Sequence, residues 1–364
     1  MSMEPYFYEG YKEKRPFFSV IIPCFNTNSD NLDLLFRSIL DQSVEKEDIE
    51  VIVSDDCSED TSYYEIVEKY KDQLNLIHVQ TDQDAVHCPG NNRENGVQYA
   101  TGEWITFIDH DDIFASHIFE EVKKDIGETN EPYMVATDFC EVDPVDLYKV
   151  KNHFSATLNW MHGKFYNLDN FWKGFDLHFI KDLTSNEDVA ICSMTQCIIY
   201  RMPKPCPLYI DKVGYLWRCF PDSESRKDRG EKSHLELNFK DYIEATGEIY
   251  IKDYIDNIDF VPIEYNKKDN LTIHFEYAVD SLLFMYFYLQ SFKYRDNLGY
   301  SRENEMRILE YKAKLLSVFG KTEKDVINLV SEKKASWYNQ VRQQAVEGVG
   351  GFIERETFYE FIMR

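Results

Sequence analysis

Three carboxylates stand within four positions in Asp109-His110-Asp111-Asp112, directly after the apolar, β-prone run Trp104 to Ile108. Carboxylates side by side are costly to desolvate unless cations or hydrogen bonds compensate. A strand that delivers Asp-x-Asp-Asp to its carboxyl end therefore points to a divalent-metal site at the mouth of an α/β sheet, where such folds bind ligands. Taken alone, the tetrapeptide reads equally well as an acidic turn closing a strand.

Three other segments place chemistry at the ends of apolar runs. Val20-Ile21-Ile22-Pro23-Cys24-Phe25-Asn26 closes with an aromatic ring and an amide, able to stack on a base and hydrogen-bond it. Val51-Ile52-Val53 leads into Ser54-Asp55-Asp56-Cys57-Ser58, where Asp55 can accept from a pyrimidine ring N–H. Pro89-Gly90-Asn91-Asn92-Arg93 precedes a helical segment, and its backbone amides and guanidinium suit a diphosphate. Each is ordinary turn chemistry by itself. Their order along the chain is the informative part: base pocket, second base contact, phosphate arm, metal carboxylates.

The elements that must carry these ends alternate. Phe17 to Ile22 reads as a strand ended by Pro23, and Leu32, Leu35, Phe36, Ile39 and Leu40 follow at helical spacing with Asp30 or Asn31 as N-cap. Val51–Val53, Leu76–Val79 and Trp104–Ile108 read as strands, with helices over Asp60–Tyr70 and Arg93–Ala100 between them. Strand–helix alternation at this spacing means βαβ units and a mostly parallel sheet. After Glu141 the pattern loosens through the aromatic-rich stretch Trp160–Phe179, a helical segment from Asn186, and Leu208–Phe220. Pro221–His234 is polar without periodicity and reads as a loop. Lys267-Lys268-Asp269-Asn270 reads as a boundary between a catalytic domain, 1–270, and a helical region, 271–364. In that region Ile308, Leu315, Leu316 and Phe319 share one helical face, and Thr322 suits the N-cap of the next helix.

Composition narrows the class. A chain of 364 residues, 43% apolar with 25 Tyr and 25 Phe, folds into a sizeable core. Residues 271–364 carry 13 basic and 13 acidic side chains, so the whole net charge of −25 lies in residues 1–270. Such an acidic body disfavours nucleic acid and anionic lipid surfaces as partners. Eight cysteines without a Cys-x-x-Cys pair fit reduced thiols, and without a cationic start and apolar run in Met1 to Arg15 no secretory signal is expected. The longest apolar run near the boundary, Leu282 to Leu289, is far short of the ~20 residues of a membrane helix. No integral membrane segment is expected.

Ser-Val-Ile-Ile-Pro-Cys-Phe-Asn (19–26), Ser-Asp-Asp-Cys-Ser (54–58), Arg93-x-x-Gly96, Ala100-x-Gly102 and Asp109-x-Asp111-Asp112 together resemble the signature of family-2 glycosyltransferases with the GT-A fold. Further along, His162-Gly163-Lys164-Phe165-Tyr166, Asn186-Glu187-Asp188-Val189, and Tyr215-Leu216-Trp217-Arg218 with Ser223 and Ser225 resemble that family's acceptor-side and later segments. Glu94 departs from the pattern, which has Asn after the Arg. The resemblance implies a Rossmann-like α/β domain with a C-terminal helical appendage, and transfer of a sugar from a nucleotide diphosphate, UDP foremost. The acceptor would be a hydroxyl of a glycan or glycoconjugate in surface polysaccharide synthesis, and the reaction would invert the anomeric carbon. Pro23, Phe25, Asn26, Asp55, Asp56, Arg93, Asp109, Arg218 and Ser223 would hold the nucleotide sugar. Asp111, with Asp109 and Asp112, would hold Mn²⁺ or Mg²⁺, to which all-oxygen ligation is suited. Asp188 would be the general base, and Glu187 would orient the acceptor. The acidic body makes a neutral glycan or lipid-linked sugar the expected acceptor in place of a polyanion such as teichoic acid. A cytoplasmic enzyme is implied, including one peripheral to the inner face of the membrane, with the C-terminal helices packing on the body or pairing two copies.

Simpler readings stand beside these. Glu187 and Asp188 also suit the acid-rich start of any helix, favoured by its dipole. His110 reads as a spacer, and His87-Cys88 lacks a second ligand pair for zinc. Trp160, Trp172 and Trp217 can stack on sugar faces or fill the core. A haloacid-dehalogenase-type phosphohydrolase also sets Asp-x-Asp after a strand, but it needs Thr or Val where this chain has Ile113, and on the first strand. A nucleotidyltransferase would need a Gly-rich loop with Arg and Lys after the first strand. A non-catalytic sugar-nucleotide- or carbohydrate-binding module would not need Glu187-Asp188.

Overall fold

Every residue of the strands β2 (Phe18–Cys24) and β3 (Ile49–Asp55) is buried, as strands covered on both faces must be. In β2, Val20 and Ile22 face one core and Ile21 the other, the alternation of a pleated strand. The computed structural model describes residues 6–7, 15–129, 133–158, 160–181, 187–199, 206–221, 302–332 and 355–364, and in the 275–290 stretch residues 275–276, 278–283, 285–286 and 289–290. The chain divides into two compact units, Met1–Arg226 and Lys227–Arg364. The expected boundary at Lys267–Asn270 lies outside the described residues.

Among the described residues the first unit is built on a sheet of ten strands. Besides β2 and β3 it contains β1 (Tyr6–Phe7), β4 (Asn75–Gln80), β5 (Trp104–Phe107), β6 (Ile113–Phe114), β7 (Met134–Val142), β8 (Val150–Phe154), β9 (Lys164–Asn167) and β10 (Leu208–Arg218). Their order is β1-β4-β3-β2-β5-β9-β7-β10-β6, with β8 beside β7. The centre, β4-β3-β2-β5, is parallel throughout. Past β5 the sheet becomes mixed: β9 runs antiparallel to both β5 and β7, while β10 runs parallel to β7. Helices α1 (Ser29–Leu40), α2 (Tyr64–Tyr70), α3 (Pro89–Val97), α4 (Ile118–Glu128) and α5 (Glu187–Ile199) complete the unit. The α/β fold expected from the sequence is the one found.

Several boundaries move for local reasons. Strand β2 continues through Pro23, which pairs in register with Ser54, and ends at Cys24. Helix α1 is capped by Asn28, whose Oδ1 accepts from the Asp30 and Asn31 N–H groups, so the cap lies ahead of both expected residues. Helix α2 starts only at Tyr64, because Asp60 takes the Ser62 N–H in a turn first. Helix α3 starts at Pro89, ahead of Arg93, with proline in its favoured first-turn place.

The second unit is helical where described: α6 (Arg302–Phe319), α7 (Glu323–Glu332) and α8 (Arg355–Ile362). Ile308, Leu315, Leu316 and Phe319 are all buried, as their spacing required. Thr322 precedes α7, and its N–H and Oγ1 both donate to Asp325 Oδ2 at 2.7 Å, which satisfies the N-terminal amide as half of a capping box does. The Lys312 ammonium ties α6 to α8 by donating to the Ile362 carbonyl at 2.9 Å.

Candidate functional site

Because β2, β3, β4 and β5 are parallel, their carboxyl ends (Cys24, Asp55, Gln80 and Phe107) lie along one edge of the sheet. Helix α3 begins at that edge and is held close. A Cβ on Gly96 would stand 2.6 Å from Ile21 Cγ2, so only glycine allows this approach. Asn92 donates to the Cys24 carbonyl at 3.1 Å and Asn95 to Ser54 Oγ at 2.9 Å, which pins the helix over β2 and β3.

That seating carries the Arg93 guanidinium between two carboxylates. Nη2 donates to Asp109 Oδ1 and Nη1 to Glu187 Oε1, each at 2.7 Å. The Arg93 and Glu187 side chains are only 9% and 11% exposed, while Asp109 is 42% exposed. Burial opposes the Arg93 charge, but Asp109 and Glu187 outweigh it and keep the guanidinium firmly protonated. Partial burial likewise works against the Asp109 charge. Arg93, with smaller help from His162 and His110, wins and holds that carboxyl below its usual range.

The other two carboxylates of the acidic loop differ sharply. Asp112 is 1% exposed and turned inward: Tyr215 Oη donates to its Oδ2 at 2.5 Å and the Arg218 N–H to its Oδ1 at 2.7 Å. Burial, then Asp111 and Asp109, still push its pKa well above normal. Asp111 is half-buried and its carboxylate receives no side-chain donor among the described residues. Burial raises its pKa against the pull of His110. A desolvated carboxylate that forms no ion pair among the described residues fits a divalent ion. Mg²⁺-type sites use one or two carboxylates and complete the sphere with substrate phosphates and water. No group of three ligating side chains is assembled among the described residues.

The remaining sequence candidates fall into two groups. Phe25 is 53% exposed, directly after the carboxyl end of β2. Pro23 offers its carbonyl to His110 Nδ1 at 3.3 Å. Asn26, in the left-handed region at φ 46°, accepts the Glu59 and Asp60 N–H groups at 3.0 Å and so shapes the next loop. Asp55 is fully buried, and its oxygens take Tyr64 Oη and Gln80 Nε2 at 3.0 Å and Ser58 Oγ at 2.5 Å. Asp56 accepts Thr81 Oγ1 at 2.7 Å and pairs with His87 Nδ1 at 3.0 Å, both through Oδ1. Arg218 spends its guanidinium behind the acidic loop, on the carbonyls of Asp111 and Pro144 and on Asn31 Oδ1. It is not turned outward. Glu94 accepts the Phe179 N–H at 3.0 Å, which gives the departing residue a structural task. Asp188 is half-buried in the first turn of α5, next to the clamped Glu187. Ser223, Ser225, Ser185 and Asn186 lie outside the described residues.

Two residues gain roles that the sequence did not assign. Tyr215 supports Asp112 and also accepts the Asp109 N–H at 3.4 Å, tying two loop carboxylates to β10. His162 lines a small pocket with Arg93, Phe107, Asp109, Met161 and Tyr215, and burial lowers its pKa to about 4, so the ring is neutral. Only their membership of the quoted acceptor-side segments signalled them.

Comparison with known proteins follows the same outline. The model of the family "Glycosyl transferase family 2" matches residues 19–202. Poly(ribitol-phosphate) beta-N-acetylglucosaminyltransferase TarS of Staphylococcus aureus is 39% identical over 108 residues, 30% of this chain and 18% of TarS. GalNAc(5)-diNAcBac-PP-undecaprenol beta-1,3-glucosyltransferase of Campylobacter jejuni is 32% identical over 128 residues, 35% of this chain and 39% of that one. The matched stretches thus span well under two thirds of either relative. Among solved structures, S. aureus TarS 1–349 in complex with UDP-GlcNAc matches with a TM-score of 0.59 at 18% identity, over 94% of this chain and 91% of that chain. That likeness is one of fold.

Proposed function

The chain belongs to glycosyl transferase family 2, and on that premise we propose that it moves a sugar from a nucleotide diphosphate, UDP foremost, to a hydroxyl of a glycan or glycoconjugate, inverting the anomeric carbon. One observation carries the reading. Arg93 joins Asp109 of the acidic loop to Glu187 at the start of α5, so donor-side and acceptor-side acids share one site.

In this mechanism Phe25 stacks on the base. Asp55, its oxygens already supplied with donors, stabilises the turn that carries Asp56, whose carboxylate would accept from a pyrimidine N–H. Asp111 would hold Mn²⁺ or Mg²⁺ against the diphosphate oxygens, with Asp109 beside it. When bound, the ion neutralises charge developing on the leaving diphosphate. Tyr215 and the Arg218 backbone keep Asp112 turned inward and so fix the loop that aims Asp111. Asp188 takes the proton of the acceptor hydroxyl as its oxygen bonds to the anomeric carbon. The bond from that carbon to the diphosphate oxygen breaks, and its electron pair leaves with UDP. Glu187, immobilised by Arg93, orients the acceptor. A single displacement means that an α-linked donor yields a β-linked product.

Relatives of Staphylococcus aureus and Bacillus spizizenii are named for poly(ribitol-phosphate) and one of Campylobacter jejuni for a lipid-linked glycan, so the names by themselves lean toward a polyol phosphate. The acidic composition favours a neutral glycan or lipid-linked sugar at the cytoplasmic side of a membrane. No helix among the described residues is long and apolar enough to cross one. The C-terminal helices serve packing or the pairing of two copies. Incubation with UDP-sugars and Mn²⁺ tests the reading. UDP release and a glycosylated product are expected, whereas phosphate release without transfer, or binding without turnover, would overturn it.

A further inference from the structure

Asp56 is held by more than its own strand. Cys24 pairs with Asp55 and Asp55 with Gln80, so the ends of β2, β3 and β4 lie side by side. The Asp56 N–H donates to the Cys24 carbonyl at 2.8 Å, which sets Asp56 against the strand end that leads into Phe25. Two donors then converge on one oxygen of its carboxylate, Oδ1. Thr81 Oγ1, directly after β4, reaches it at 2.7 Å, and His87 Nδ1 at 3.0 Å. A carboxylate oxygen accepts, so Nδ1 is the nitrogen that carries the hydrogen. The Asp56 side chain is 7% exposed and that of His87 41%, so the imidazole extends from the buried acid toward solvent. Cys57, the next residue, stands in the left-handed region at φ 56°, which a non-glycine residue keeps only where its surroundings fix the turn. His87 is tied on its other side as well. It precedes Cys88, the N-cap of α3, and Asn91 Nδ2 in the first turn of that helix donates to the Val86 carbonyl at 2.8 Å. The acid assigned to the base and the helix assigned to the diphosphate are thus joined through one side chain.

We propose that His87 is a positioning residue for nucleobase choice: with Thr81 it clamps Asp56, so that the carboxylate meets the ring N–H of uracil while α3 receives the diphosphate. The proposal rests on the UDP reading and names the residue that enforces it. N3 of uracil carries a hydrogen and donates. N3 of cytosine carries a lone pair, which a fixed carboxylate repels. A carboxylate able to swing aside, or to admit water between itself and the ring, loses that repulsion. A site built to pair a donor rejects the ring that lacks it only while its own acceptor stays in place. His87 acts through Asp56 and does not itself read the base.

Calorimetry on the full chain with UDP, CDP and pyrophosphate, each with Mn²⁺, decides the matter. Pyrophosphate probes the diphosphate arm without a base. His87→Ala should lower the ratio of UDP to CDP affinity about tenfold, the worth of one hydrogen bond to a charged group. Pyrophosphate affinity should stay at the wild-type value, which also verifies that the variant folds. His87→Asn places an amide N–H where Nδ1 stands and should restore the ratio. His87→Gln carries its amide out to the place of Nε2 and should not. An unchanged ratio in His87→Ala would overturn the proposal. So would a matching loss of pyrophosphate affinity, which would make His87 a support of α3 alone, or rescue by Gln and not by Asn, which would place Nε2 on the base. A wild type that binds pyrophosphate and shows no preference for UDP over CDP would strike the UDP reading itself, and the proposal with it.

Discussion

Arg93 donates to Asp109 and to Glu187, each at 2.7 Å, although these partners stand 16 and 94 positions along the chain from it. The bond to Glu187 is the more consequential for folding, since both of its side chains are buried and Asp109 is partly solvated. Removing one member of a buried pair strands the other charge. Arg93→Met should therefore cost about 3–5 kcal/mol in urea unfolding. Arg93→Met with Glu187→Leu should recover much of that loss. A single-variant cost below about 1 kcal/mol, the worth of an exposed pair, would show that the clamp is solvated.

Asp111 carries the opposite electrostatics. Burial, and then Asp109, raise its pKa against His110, so its ionised form is disfavoured in the folded state. For a carboxyl raised in this way, stability is lost as pH climbs through the folded value. Asp111→Asn should consequently raise the unfolding free energy at pH 7 by about 0.5–2 kcal/mol, as functional sites often allow. The same change should abolish the Mn²⁺-dependent part of UDP affinity and turnover. Thermal unfolding and calorimetry with and without Mn²⁺ check both. A variant that still gains UDP affinity from Mn²⁺ would remove Asp111 from the metal site.

Lys164 is 1% exposed on β9, and its ammonium donates to the His162 carbonyl at 3.1 Å. Burial lowers its pKa from 10.5 to about 8. In the unfolded chain the proton binds more tightly, so the folded state is penalised in full below pH 8, and the penalty fades as pH rises toward 10.5. Lys164→Met should stabilise the protein at pH 7 by up to ~3 kcal/mol, with the advantage shrinking between pH 8 and 10. Denaturation at pH 7 and pH 9.5 measures it. An advantage independent of pH would mean that only packing changed.

In the second unit, Leu315 is fully buried on α6. Leu315→Ala should destabilise that unit by about 2–5 kcal/mol through lost contacts and the cavity left behind. UDP affinity should persist, because every site residue belongs to Met1–Arg226. Calorimetric unfolding and UDP titration of the variant settle both halves. A matching loss of UDP affinity would bring the helices into the site.

The parallel half of the fold was legible because its strands are short continuous apolar runs separated by helical segments, and the turn residues sit where β2, β3 and β5 end. The mixed half was not. In β8, four of five residues are exposed, and β10 carries two register shifts against β7, so neither shows a simple alternation. The site was legible in its residue types and less so in their uses. Asp55 and Arg218 were expected to face a ligand, but half-buried partners close to them in space, Tyr64 and Gln80 for one and Pro144 and Asn31 for the other, engage them instead. The Arg93–Glu187 bond could not be read from spacing, because five strands, β5 to β9, lie between α3 and α5. Asn28 won the α1 cap because its side chain reaches two N–H groups at once.

The anomeric configuration of the product tests the central claim most directly. Wild type and Asp188→Asn would be incubated with α-linked UDP-sugars, Mn²⁺ and a glycan acceptor, and the product read by NMR with UDP release followed alongside. The account predicts a β-linked product from the wild type and transfer lowered by ~10² or more in Asp188→Asn, the usual worth of a general base, with UDP affinity intact. An α-linked product, or a fully active Asp188→Asn protein, would contradict it.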